Sequence, residues 1–185
     1  MITDPVWPNA KVDLAGRDDP FGLFRSVCVL LPRLVKRVVV HLGCDSDPRF
    51  LACVPDEFRF LRVCWLEYPF PHPKGHILYG ADVAYAFGPA PKRETWTVIA
   101  GKTQSTDSNG HCKEHPCARK LEHAAFLVKW FASGTVLDPF MGSGTTLLAA
   151  KRGGWNSIGI EVEERFCELA ARRVGQRRLP FDEAG

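Results

Sequence analysis

The sequence is short of several things, and each shortage excludes something. Only two methionines are present and no Cys-x-x-Cys pair, although there are seven cysteines. Scattered, unpaired and odd in number, these read as reduced thiols of an intracellular protein rather than a disulfide framework. No apolar run reaches the length of a membrane span, and no basic-then-apolar leader opens the chain, so a cytoplasmic protein without membrane contact is expected. Internal repeats and low-complexity tracts are absent. Charge of one sign is scarce too: the net charge of +3 over 185 residues permits nucleic-acid binding without implying it. What remains is a composition near the globular average, with 45% hydrophobic and 24% charged residues, enough for one domain with its own core.

The most informative stretch is Thr135-Val136-Leu137-Asp138-Pro139-Phe140-Met141-Gly142-Ser143-Gly144-Thr145-Thr146, followed by the helix formers Leu147 to Arg152. It reads as strand, glycine turn, helix, the opening of a nucleotide-binding α/β unit. No Lys-Ser/Thr pair follows the last glycine, so it is not a triphosphate loop. Asp138 at the strand end would repel an anion, and a cationic or neutral adenosine ligand fits better. The loop resembles the S-adenosylmethionine loop of amino-methyltransferases that modify exocyclic amines of DNA bases. Ile158-Gly159-Ile160-Glu161-Val162-Glu163 resembles their second strand, whose closing acid, here Glu161, binds the cofactor ribose in that family. The resemblance implies a cofactor site of Asp138, Phe140, Gly142, Ser143, Gly144, Thr145 and Glu161.

A second motif lies at Asp4-Pro5-Val6-Trp7, similar to the family's catalytic tetrapeptide of an acidic or polar residue, two prolines and an aromatic. Exocyclic amines are poor nucleophiles because their lone pair is delocalised into the ring. The resemblance implies that Asp4 and the Pro5 carbonyl accept the two N–H groups, and that Trp7 stacks on the base once flipped from the duplex. An acidic first residue goes with adenine N6 in the family, a serine with cytosine N4. Val6 replaces the second proline, and only Met1 to Thr3 precede the motif, so a shortened or missing N-terminal strand is expected.

His115-Pro116-Cys117-Ala118-Arg119-Lys120-Leu121 resembles the family's His-Pro-x-x-Lys-Pro element, which adds His115 and Lys120 to the expected cofactor site. His111, Cys112, His115 and Cys117 are too crowded to surround one zinc, and no metal site is expected. Asp45 and Asp47 read as turn caps.

Between these motifs, Phe21 to Arg37 reads as helix broken at Pro32, and Val38 to Leu42 as a buried central strand. Strands are also expected at Phe60–Tyr68, Ile77–Gly80, Ala84–Gly88 and Thr95–Ile99, with helices over Glu122–Phe131 and Glu163–Arg173. The polar segment Gly88 to Glu114 carries Lys92, Arg93, Lys102 and Lys113, candidates for phosphate contact in a target-recognition segment. So brief a segment implies a short target sequence or a second subunit, as in a homodimer.

The motif order matches the permuted branch of the family. We therefore expect an α/β, Rossmann-like fold with a mostly parallel twisted sheet and helices on both faces. Residues 1–88 would form the catalytic half, 89–114 the recognition segment, 115–178 the cofactor half and 179–185 a tail. The implied activity is methyl transfer from S-adenosylmethionine to adenine N6 in double-stranded DNA, in a restriction-modification or phage setting. Alternatives are cytosine-N4 or RNA methylation, or an inactive binder of cofactor and DNA.

Overall fold

A computed structural model describes residues 1–9, 13–74, 76–92, 100–102, 112 and 114–175. The first strand, β1 (Ile2–Thr3), is short but present, and pairs parallel with β2 (Val38–Leu42) through Ile2↔Val39 and Thr3↔Val40. Every residue of β2 is buried, as its β-branched run predicts. Its side chains alternate between two cores: Val38, Val40 and Leu42 join one, Val39 the other.

Between these strands lie α1 (Pro20–Cys28) and α2 (Leu31–Leu34). The Asp19 side chain caps α1 by accepting from the Gly22 N–H at 2.8 Å. Pro32 stands in the first turn of α2, so the proline starts a second helix after the first has ended. After β2, Asp47 caps the 3-10 helix Pro48–Cys53 by accepting from the Arg49 N–H at 2.9 Å. That is the turn-cap use expected of it.

The sheet is more mixed than expected. β3 (Phe60–Lys74) and β4 (Ile77–Phe87) form one long hairpin, and β4 absorbs both the Ile77–Gly80 and Ala84–Gly88 segments. A tight turn can join only antiparallel strands, so β4 runs against β3, and it also pairs antiparallel with β2. β5 (Ala100–Lys102) pairs parallel with β3, giving the order β1-β2-β4-β3-β5. The Thr95–Ile99 strand lies outside the described residues.

The second half is parallel. β6 (Val136–Asp138) pairs with β7 (Ser157–Gly159), which ends earlier than the Ile158–Glu163 reading. β6 also runs beside β1, so the two halves meet at those strands. Three helices complete this half: α3 (Leu121–Phe131), α4 (Thr145–Arg152) and α5 (Glu164–Gly175). The inner face of α3 places Ala124, Leu127 and Val128 in one core with Ile2, Val39, Leu66 and Leu148. On the other face of the sheet, Phe24 of α1 stacks on Phe50 at 4.8 Å between ring centroids. Helices thus cover both faces, and the catalytic-type motif precedes the glycine loop, as a permuted Rossmann-like chain requires.

Candidate functional site

Strands β1 and β6 end side by side, and the loops leaving them line one cavity of about 290 Å³. Asp4, Pro5 and Trp7 follow β1 into it; Asp138, Phe140 and Gly142 follow β6. A crevice at the carboxyl ends of strands is where open α/β sheets bind ligands.

Asp138 ends β6 and is only 2% exposed. Thr3 Oγ1 donates to its Oδ1 at 2.6 Å, and the Phe140 N–H donates to the same oxygen at 3.1 Å. Burial dominates nonetheless: it pushes the carboxyl up to about 6, against hydrogen bonds from Thr3, Thr146 and Phe140 that favour ionisation. A buried carboxylate this poorly compensated fits a cationic ligand.

The glycine loop is fixed from behind. Glu161 Oε2 accepts from the Gly142 N–H at 3.0 Å, and Oε1 accepts from Val162 and Glu163 N–H at 2.8 and 2.9 Å. These bonds orient a carboxylate that still lines the cavity, with Oε2 accepting only one of them. Gly142 has φ +47°, and a Cβ there would come within 2.9 Å of His115 Nε2. Gly144 has φ +77°, and its Cβ would lie 2.8 Å from that of Ala170, so this glycine serves the packing of α5.

Ser143 and Thr145, expected to face cofactor, accept instead from Arg173 Nη1 of α5, at 2.9 Å for Ser143 Oγ and 3.3 Å for Thr145 Oγ1. Both residues also border the cavity, and each hydroxyl keeps its own O–H to donate. Arg173, in the last turn of α5, is half-buried there.

His115 stands in the cavity wall against Phe166, ring centroids 4.4 Å apart, and its Nδ1 accepts from the Cys117 N–H at 3.2 Å. Burial lowers its pKa, outweighing the nearby carboxylates Asp4 and Glu161. Lys120 is the extended residue capping α3 and does not line the cavity. The residue before it does. Arg119 Nε donates to Asp4 Oδ2 at 2.7 Å and Nη2 to Asp4 Oδ1 at 2.9 Å. Its guanidinium lies 4.5 Å over the Trp7 ring, and Nη1 donates to Asp82 Oδ2 at 2.8 Å. Sequence reasoning missed Arg119 because its partners stand 115 and 37 positions away. The available signal was helix register: with α3 starting at Leu121, Lys120 takes the cap and Arg119 turns inward.

Behind Arg119 is a buried polar cluster. Tyr68 donates its hydroxyl to Asp82 Oδ2 at 2.6 Å, and His41 Nε2 lies 3.5 Å from that same oxygen. Burial would raise the Asp82 carboxyl, but the neighbouring His41 ring and the Arg119 charge outweigh it and hold it well below the usual range. Burial and Asp82 push the Tyr68 hydroxyl up, so it stays protonated as the donor. His123 is lowered to about 4 by burial and then by His41, and its ring nitrogen meets the Glu67 carbonyl at 3.0 Å. His41, Asp82 and His123 are near enough to share a metal ion. However, Asp82 Oδ2 is surrounded by three partners, one of them cationic, which speaks for a hydrogen-bonded ion-pair network. Cys112, from the crowded His/Cys stretch, is buried with Phe166 and Leu169, an apolar setting unsuited to a ligand.

Of the candidate phosphate contacts, Lys92 is exposed. Arg93, Lys113 and the side chain of Lys102 lie outside the described residues.

A family model described as DNA methylase matches residues 76–172. The chain is 38% identical over 192 aligned positions to "Putative methylase YubD" of Escherichia coli (strain K12), covering 97% of this chain and 80% of that protein. It is 33% identical over 85 residues to the Type II methyltransferase M.MthZI of Methanothermobacter thermautotrophicus, 45% of this chain and 24% of that protein. Matches to M.ScaI and M.HinfI likewise cover 14% and 24% of those relatives. Among solved structures, the M1.HpyAVI–SAM complex aligns with a TM-score of 0.72 at 22% identity, covering 95% of this chain and 87% of that one. The cytosine-N4-specific PvuII DNA methyltransferase aligns at 0.66 and 17% identity, covering 98% and 81%. The fold is therefore shared with these solved structures, one of which is a cytosine-N4-specific DNA methyltransferase.

Proposed function

The chain belongs to the DNA methylase family, whose members modify N6 or N4 amines of bases, and from that premise we propose that it methylates adenine N6 in double-stranded DNA. The observation carrying this reading is the convergence of Asp4 and Trp7 with Asp138, Gly142 and Glu161 in one cavity. When bound there, S-adenosylmethionine supplies an electrophilic methyl group on its sulfonium. The buried Asp138 carboxylate suits the cationic methionine end, with the His115 wall beside it, and Glu161 suits the ribose hydroxyls.

Asp4 accepts one N–H of the target amine and the Pro5 carbonyl the other, drawing the nitrogen lone pair out of conjugation. Trp7 stacks on the flipped base and orients it. Bound S-adenosylmethionine would supply the methyl, and Asp4, Pro5 and Trp7 would hold the amine nitrogen toward it, so most of the rate comes from positioning. The extra proton on nitrogen passes to Asp4 or to water. Solvent-facing lysines such as Lys92 meet backbone phosphates.

The preference for adenine rests on Asp4, since the structural relatives include a cytosine-N4-specific enzyme. The test is transfer of tritiated methyl to unmethylated duplex DNA, with nucleoside analysis and Asp4→Ala in parallel. Label in N6-methyladenine that disappears with Asp4→Ala supports the reading. Label in N4-methylcytosine would overturn the target base. No label on DNA, with cofactor bound, would leave an inactive binder; label on RNA instead would change the substrate.

A further inference from the structure

Resting on that reading, one contact has a meaning beyond it: the catalytic-type carboxylate is occupied. Both oxygens of Asp4 receive N–H groups from one guanidinium, and the same planar group lies 4.5 Å over Trp7. A flat group that stacks on Trp7 and donates two N–H bonds to Asp4 is a chemical likeness of an amino-substituted base. We propose that Arg119 is a stand-in for the target base: it fills the base position in the DNA-free protein and must leave Asp4 and Trp7 for a base to enter.

The surroundings supply the exit. A buried cation cannot be left without a counter-charge. Asp82 provides one, because Arg119 Nη1 already donates to its Oδ2 at 2.8 Å. Asp82 is held rigidly on β4, 3% exposed, with the Tyr68 hydroxyl fixed to the same oxygen. Arg119 can therefore pivot about Nη1, releasing Nε and Nη2 while keeping its charge paired. The backbone permits this: residues 118–120 belong to no helix or strand, and α3 begins only at Leu121. While the stand-in is seated, both Asp4 oxygens stay oriented by its N–H groups and Trp7 stays covered, so the site is both preformed and closed. The apparent affinity for DNA is then lowered by the fraction of molecules in the open state.

Three readouts test this, the first two with S-adenosylhomocysteine present as a non-reacting cofactor probe and the third under turnover with S-adenosylmethionine. First, the Arg119 Nε–Hε resonance, assigned by its loss in Arg119→Lys, should be slow to exchange without DNA and fast once unmethylated duplex DNA is bound. Second, Arg119→Lys keeps the charge but not the flat fork. Together with Arg119→Met, it should bind duplex DNA more tightly than wild type, by about tenfold if one molecule in ten is open. Third, KM for DNA should fall in both variants while kcat does not rise. Thermal melting and S-adenosylhomocysteine affinity verify that each variant is folded.

An Hε resonance unmoved in the DNA complex, or variants that bind DNA no better while folded, would overturn the proposal and make Arg119 a fixed positioning residue for Asp4. In that case wild type still labels DNA, so the methyltransferase reading survives. If wild type and both variants bind S-adenosylhomocysteine but none takes up or labels DNA, that reading fails and the stand-in falls with it.

Discussion

If Asp138 receives a cationic cofactor end, cofactor affinity must be linked to a proton. In the cofactor-free protein this carboxyl titrates at about 6, raised from 3.8 chiefly by burial. At pH 5, one unit below, only about one molecule in eleven carries the charge, which weakens binding roughly tenfold relative to pH 7.5, or about 1.4 kcal/mol. The assay is calorimetric titration with S-adenosylhomocysteine, which keeps the ammonium but lacks the sulfonium, from pH 5 to 7.5. Near pH 6, buffers of differing ionisation enthalpy should reveal release of about half a proton per cofactor bound. Two other groups face this region, His115 in the wall and the Met1 amine, lowered to about 5 mainly by its own burial. Asp138→Asn separates them: it should bind weakly with little pH dependence, any remaining slope belonging to the other two. The same variant should be the more stable protein. The folded state holds its proton up to about pH 6, whereas the unfolded chain releases it near 3.8, so stability falls as pH rises through that window and stays lower above it. Asparagine keeps an oxygen for Thr3 and Phe140 and removes this penalty, a gain of about 1 to 3 kcal/mol at pH 7.5. A flat affinity profile in wild type, or an Asp138→Asn protein that melts lower, would refute the reasoning.

Asp4→Ala should reduce methyl transfer at least about 100-fold, with S-adenosylhomocysteine binding intact by calorimetry; comparable activity would remove Asp4 from the chemistry. Gly144→Ala must adopt φ +77° and meet Ala170. We expect a loss of about 2 to 4 kcal/mol, seen as a melting point lower by roughly 5 to 15 °C. Lys92→Ala should weaken binding to all DNA sequences alike and flatten the salt dependence by about one ion, measured by titration at several salt concentrations. Leu127, on the inner face of α3 and 1% exposed, should cost about 2 to 5 kcal/mol when changed to Ala, measured by denaturant unfolding.

What the sequence revealed was what is local. The strand, glycine turn and helix at residues 135–152 were legible because the apolar run, the glycines and the helix formers lie in one window. Val38 to Leu42 was legible as a buried strand from its β-branched residues alone. The contacts that close the site were not, because they join distant segments. Nothing in the spelling of Arg119 shows that it reaches Asp4, and nothing near Arg173 shows that it holds Ser143. The cluster of His41, Asp82 and His123 depends on strand alternation in β2 and helix register in α3 acting together. The direction of β4 was hidden for a different reason. Its hydrophobic pattern would suit either orientation, and the turn around residue 76 decides between them.

The bond from Thr3 to Asp138 spans 135 positions of sequence and joins β1 to β6 where both loops enter the cavity. The distance between the Asp4–Trp7 motif and the glycine loop is therefore set by neighbouring strand ends, with no covalent connection between them required. Chain order is free to vary as long as those two ends stay side by side. It follows that a polypeptide cut between β4 and α3 has its two working parts on separate pieces, each carrying one edge of the same seam. Co-expressed, those pieces would have a built-in reason to find each other, and the reacting groups would meet only in the reassembled pair.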